Sequence, residues 1–162
     1  MKRKEFYLII EPLTERLYRF AYSLIPEDLQ AEQLIIDGFN AFLIKQKKNL
    51  LRREVDFKEK RDLQVLRKIY FKAILRHISE IGLRRSSQLQ DHTRLNKPSE
   101  FKAFYNLEPK LRMILSLRFD AQLTVEEIEE ISQMAKYEVI EKLHNGRFLL
   151  MNELNKGVIA HG

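Results

Sequence analysis

Apolar residues recur three and four positions apart along almost the whole of this 162-residue chain, and that spacing restricts the fold more than any other feature. Phe6, Ile9, Leu13, Leu17, Phe20 and Leu24 set the pattern. Residues at these intervals share one face of a helix, whereas a half-buried strand needs strict alternation. Ile35, Phe39, Phe42 and Leu43 continue it, followed by Leu63, Leu66, Tyr70, Ile74, His77, Ile78 and Ile81. Beyond residue 100 come Phe101, Phe104, Leu107, Leu111, Ile114, Leu115 and Phe119, then Leu123, Ile128 and Ile131, and finally Val139, Leu143 and Leu150. No segment alternates as a strand would, so the fold class is expected to be all-α.

The breaks between stripes suggest where helices begin and end. Pro12 predicts a kink or a helix start, because proline removes an amide donor and crowds the preceding turn. Pro26, followed by Glu27 and Asp28, reads as a new first turn with acids facing the positive helix end, opening a helix over roughly residues 27–44. Residues 45–61, KQKKNLLRREVDFKEKR, hold eight Lys/Arg against three acids with no sustained apolar period, and read as an exposed basic loop or frayed helix end. Gly82 is expected to loosen the last turn of the third long helix. Residues 86–99, SSQLQDHTRLNKPS, are polar, weakly periodic and end in a proline, which suits a linker. The expected organisation is therefore two small helical domains: residues 1–85, a linker at 86–100, a second domain at 101–154, and a tail at 155–162 that frays.

Residues 123–150, LTVEEIEEISQMAKYEVIEKLHNGRFLL, suggest two short helices joined by a tight turn near Met134 and Ala135. Thr124 is placed as an N-cap, and Glu127 three residues on would complete a capping box. Such turns often carry glycine for a positive backbone dihedral; the corresponding position here is Gln133.

Charge is unevenly placed. Residues 1–100 carry 21 Lys/Arg against 14 Asp/Glu, while residues 101–162 carry eight against nine. A nucleic-acid partner would thus be gripped mainly by the first part, where cations displace counterions from phosphates; a solvated surface is the alternative reading. Several classes find no support. With no cysteine there is no disulfide, thiolate metal site or cysteine nucleophile. None of the five glycines forms a phosphate loop, and His77, His92, His144 and His161 have no ligand spacing. Glu126, Glu127, Glu129 and Glu130 point around a helix start rather than at one metal. No catalytic residue, cofactor or metal site is expected. No window approaches a membrane span, and MKRKEF leads into an apolar run too short for a secretory signal, so a cytoplasmic protein is expected.

Three segments, in order, resemble the sigma factors of bacterial RNA polymerase, specifically the small two-domain extracytoplasmic-function group. LYRFAYSLIPEDLQAEQLIIDGFNAFL is similar to the family's first two helices, commonly LYRFAxRLxGDxxxAEDLVQETF. IYFKAILRHISEIGLRR resembles WLxxIARNLxxDxLRR. NLEPKLRMILSLRFDAQLTVEEIEEISQMAKYEVIEKLHNGRFLL resembles the C-terminal helix-turn-helix domain, LPxxxRxVLLLRxxxGLSYEEIAEILGISxGTVKSRLHRARxxL. The resemblance implies a subunit that brings core RNA polymerase to promoter DNA, with an anti-sigma factor as a possible regulator and no membrane insertion. It implies core-polymerase contacts at Ile35, Ile36, Asp37, Asn40 and Leu43. It implies downstream-promoter contacts at Arg52, Arg53, Lys58, Lys60, Lys72, Arg76, Arg84 and Arg85, with Tyr70 at the usual tryptophan position; core packing is the other reading of Tyr70. In the helix-turn-helix it implies upstream-promoter contacts at Lys136, Tyr137, Ile140, Lys142, His144 and Arg147. The chain departs from the pattern at Gln33, Ile36 and Gly38, and at Glu138, Ile140, Glu141 and Asn145 of the reading helix. Those departures leave a second expectation open: a sigma-like protein that binds a regulator without reading promoter DNA.

Overall fold

A computed structural model describes residues 3–50, 60–89 and 101–160, and among them the chain is all-helical, as the spacing predicts. Arg52, Arg53 and Lys58 lie outside the described residues. Helix α1 (Arg3–Ile10) leads through a 3-10 turn (Glu11–Leu13) into α2 (Thr14–Leu24). Pro12 sits in that turn, where its missing amide costs no helical hydrogen bond. Helix α3 (Asp28–Leu50) opens behind Pro26, and the Glu27 carboxylate accepts from the amides of Leu29 at 3.1 Å and Gln30 at 2.7 Å, capping the helix. It runs six residues past the expected end, because the KQKKNL segment has good helix formers and no proline or glycine to stop it.

Helix α4 (Lys60–Leu89) continues through the first residues assigned to the linker, and Ser86 is buried. The expectation for Gly82 needs correcting. A Cβ there would stand 2.7 Å from Leu24 Cδ1 and 3.1 Å from Leu34 Cδ2, so the glycine permits close packing of α4 on α2 and α3 rather than loosening a turn. Gly38 has the same role, since a Cβ would meet Ile78 Cγ1 at 2.7 Å.

The remaining helices are α5 (Lys102–Tyr105), α6 (Pro109–Phe119), α7 (Val125–Ser132) and α8 (Lys136–Ala160). The last helix extends to Ala160, through most of the segment expected to fray. α6 is the centre of this part. Residues 111–117 are buried without a break, as expected of a helix covered on every side. It packs against α2 on one hand and against α7 and α8 on the other. A single apolar cluster consequently runs from Phe6 through Ile74 and Ile114 to Val139, and a smaller one gathers Leu107, Leu111 and Leu115.

The contact between the two groups of helices includes a buried cation that sequence reasoning did not single out. Arg112 of α6 is 6% exposed. Its Nε donates to Ser23 O at 2.7 Å and Nη2 to Leu24 O at 3.0 Å, both in the last turn of α2, while Nη1 donates to Leu107 O at 2.6 Å. Terminal helix carbonyls lack intrahelical donors, and a guanidinium at the negative helix end satisfies them. Burial pushes its pKa down, and the Tyr105 hydroxyl opposes that shift. Arg19 pairs with Asp120 at 3.2 Å, and Arg16 donates to Ala121 O at 3.0 Å, so the same contact continues to its exposed edge.

Candidate functional site

The five positions nominated on α3 divide by orientation. Ile36 is 50% exposed and Asn40 is exposed, one turn apart, and the exposed Leu29 and Ile44 extend the same face. Ile35 is buried and Leu43 half-buried, both turned to the core. Asp37 ties α3 to the end of α4: one oxygen pairs with Arg85 Nη2 and the other accepts from Gln33 Nε2 at 3.0 Å.

On α4 the nominated cations lie in different settings. Lys60 is the first residue of the helix. Arg84 is exposed, Arg85 is held by Asp37, and Arg76 pairs with Glu80 one turn on at 3.5 Å. Lys72 reaches α7, where Glu127 Oε2 stands at 3.5 Å and Glu130 Oε2 at 4.0 Å. Tyr70 is 7% exposed with its ring edge-on to Phe42 at 4.9 Å between centroids, which is the core reading of that residue.

The α7–α8 unit is built as its sequence suggests. Thr124 Oγ1 accepts from the Glu127 amide, and Glu127 Oε1 accepts from the Thr124 amide, both at 3.2 Å. Gln133 then takes the left-handed conformation, φ 58° and ψ 25°, and its amide closes on Glu129 O at 2.8 Å. Ser132 secures the turn, its Oγ donating to Ile128 O at 2.6 Å and accepting from the Met134 amide. Gln122, also at positive φ (57°), turns the chain between α6 and α7, a second such position that the sequence does not advertise.

Glu127 serves both the cap and the contact with α4. Burial pushes its carboxyl pKa up, but the Thr124 amide and the Lys72 and Lys68 charges outweigh that, and the net shift is below the ordinary range. Its Oε2 is buried with no hydrogen bond among the described residues, and the Lys72 ammonium at 3.5 Å is its charge partner.

Along α8, Lys136 is drawn to Glu126 at 3.0 Å. Tyr137, Ile140 and His144 face outward, Lys142 is half-buried, and the Arg147 guanidinium lies over the Phe119 ring at 4.7 Å. The outward face continues as Phe148, Met151 and Leu154, each at least 60% exposed. Sequence reasoning missed this extension, although the 3–4 spacing of Tyr137, Ile140, His144, Phe148 and Met151 carries the signal. The helix nominated for DNA thus carries the cations Lys136, Lys142 and Arg147 beside an exposed apolar stripe that runs on past the nominated positions.

Among the described residues no three His, Asp or Glu side chains gather in a way that would hold a metal ion, and no helix is long and apolar enough to cross a membrane. Comparison with protein-family models finds no match for the chain, and a search of curated proteins finds no significant relative.

Proposed function

We propose that this chain belongs to the class of helical, non-enzymatic DNA-directing proteins that work through surfaces rather than a catalytic centre. Within that class we read it as an RNA polymerase sigma factor of the extracytoplasmic-function type, acting in the cytoplasm on core polymerase and promoter DNA. The observation that carries the reading is the outward face of α3. Leu29, Ile36 and Ile44 are at least half exposed on a helix whose other side is core, and the face lies on the helix that the resemblance assigns to polymerase binding. The basic character of residues 1–100 and the capped α7–α8 turn support the same reading.

The helix contacts bear on how DNA would be met. Lys72 is paired with Glu127 and Glu130, so a phosphate reaching it competes with two carboxylates. DNA lying along α4 therefore requires α7 to give way, and high salt weakens both contacts.

The test is binding of the full chain, labelled at a cysteine introduced in the C-terminal tail, to bacterial core RNA polymerase. Saturable binding that Ile36→Glu weakens by about 100-fold, with the melting temperature unchanged, is the expected result, since a carboxylate buried in an apolar contact is strongly penalised. Absence of binding by the wild-type chain would refute it.

One observation favours a second reading. The outward stripe of α8 from Tyr137 to Leu154 offers aromatic and aliphatic side chains with Glu138 and Glu141 beside it, while Lys136 is held by Glu126 and Arg147 lies over Phe119. That suits a sigma-like protein whose C-terminal helix engages a regulator such as an anti-sigma factor. Promoter binding retained by the Phe148→Ser, Met151→Ser double variant, with loss of a protein partner, would select this reading.

A further inference from the structure

Between α3, α4 and α7 the structure holds an open cavity of about 320 Å³. Its apolar lining comes from Phe42, Ile69, Ala73 and Ile131, and its charged lining is one-sided. Among the described residues the cations Lys45, Lys72 and Arg76 face it against a single lining carboxylate, Glu130, and His77 adds a polar ring. Lys45 has no acidic partner among the described residues, and Arg76 meets Glu80 only in a pair exposed to solvent. Lys72 is shared with α7, where Glu127 stands at 3.5 Å and Glu130 at 4.0 Å, so it faces the cavity as a cation already paired on its far side. Burial lowers the His77 pKa, with Lys45 and Arg76 adding to that against Glu80, so the imidazole lines the cavity chiefly as a neutral hydrogen-bonding group.

A volume near the small end of ligand pockets, roughly 300–1,000 Å³, fits one ring and a head group. Cations arriving from two helices fit a head group with more than one negative charge and several acceptor oxygens, for which charge-assisted hydrogen bonds are strongest. We propose that this cavity is a binding site for a small phosphate monoester carrying a ring-sized apolar group. The apolar walls take the ring, and Lys45 and Arg76 take the phosphate, with Lys72 joining them only in competition with Glu127 and Glu130. Lys45, His77 and the α7 wall lie outside the promoter positions that the sigma resemblance assigns, and the site does not depend on that reading. It shares Lys72 and Arg76 with them, so an occupant and DNA would exclude one another.

The probe is phenyl phosphate, measured by equilibrium dialysis against the full chain at low salt, with inorganic phosphate and phenol as comparators. The expected result is one saturable site that holds phenyl phosphate about tenfold more tightly than either comparator, since each supplies only half of the recognition. Lys45→Ala, at an exposed position that leaves folding intact, should weaken binding about tenfold by removing a charge-assisted contact. Ala73→Leu, which fills the cavity and alters no charge, should weaken phenyl phosphate more than inorganic phosphate, with far-ultraviolet circular dichroism showing the variant folded. Equal binding of phenyl and inorganic phosphate, indifference to Lys45→Ala, or no binding up to about 10 mM would each overturn the proposal.

Discussion

Replacing Arg112 with leucine tests whether a single guanidinium holds the two groups of helices together. The substitution keeps an apolar side chain of similar length on α6 but removes the donors to Ser23 O, Leu24 O and Leu107 O, at 2.7, 3.0 and 2.6 Å. A hydrogen bond from a charged donor is worth about 1.5–3 kcal/mol, so three set a gross figure of roughly 5–9 kcal/mol. Against this, the leucine avoids the several kcal/mol spent in burying a cation that has no carboxylate partner among the described residues. The carbonyls left behind are buried with their helix ends and lose their donors outright, so the net loss should be about 3–5 kcal/mol. That is a large share of the roughly 5–15 kcal/mol that keeps a domain folded. Urea unfolding followed by circular dichroism should show the midpoint falling by about 1.5–2.5 M for a denaturant slope near 2 kcal/mol/M. Arg112→Lys should recover less than half of the loss, because one ammonium does not span acceptors on α2 and on the α5–α6 connection. A midpoint shift under about 0.5 M for Arg112→Leu would refute the reasoning, since it would put the net worth near 1 kcal/mol.

Gly38→Ala should destabilise the chain by about 1–3 kcal/mol despite alanine's better helix propensity, because the new Cβ meets Ile78 Cγ1 at 2.7 Å; thermal melts decide it. Gln133→Gly should hold or raise stability by up to about 1 kcal/mol, since glycine takes φ 58° without the penalty of a Cβ, whereas Gln133→Val should lower it; urea midpoints of the two variants moving together would contradict this. Glu127 has a folded-state pKa held below the ordinary 4.5, so its contribution is present above that value and disappears as pH falls through the lower folded-state pKa. The urea midpoints of wild type and Glu127→Gln should therefore differ at pH 7 and converge toward pH 3; a constant gap would show that the carboxylate charge is not the cause.

Some of this was legible from residue order alone. The Thr124–Glu127 capping box and the turn at Gln133 involve residues no more than a few positions apart, so their geometry follows from local chemistry. Pro12 and Pro26 likewise marked breaks, because proline acts on its own backbone. Gly82 was misread for the opposite reason: its role depends on Leu24 and Leu34, 58 and 48 residues earlier in the chain. Arg112 left a faint signal, a lone cation inside the apolar run of residues 111–117, and such a residue must find acceptors if the run is buried. Of the candidate site, spacing alone set Ile35 and Leu43 in the apolar stripe apart from Ile36 and Asn40, but the hold of Arg85 on Asp37 needed the position of α4.

What the sequence determined by itself was the helical content, most of the helix starts, and which positions share a face, because 3.6-residue periodicity and capping are local properties. What only the tertiary structure decided was which face meets which. That Lys72 would find Glu127, 55 positions away, and that Arg112 would close on the end of α2, 88 and 89 positions away, depends on helices brought together by burial of the apolar cluster. Periodicity states that a face is apolar or charged, but not its neighbour. The neighbour settles whether a cation stays available to a phosphate or is already held by a carboxylate.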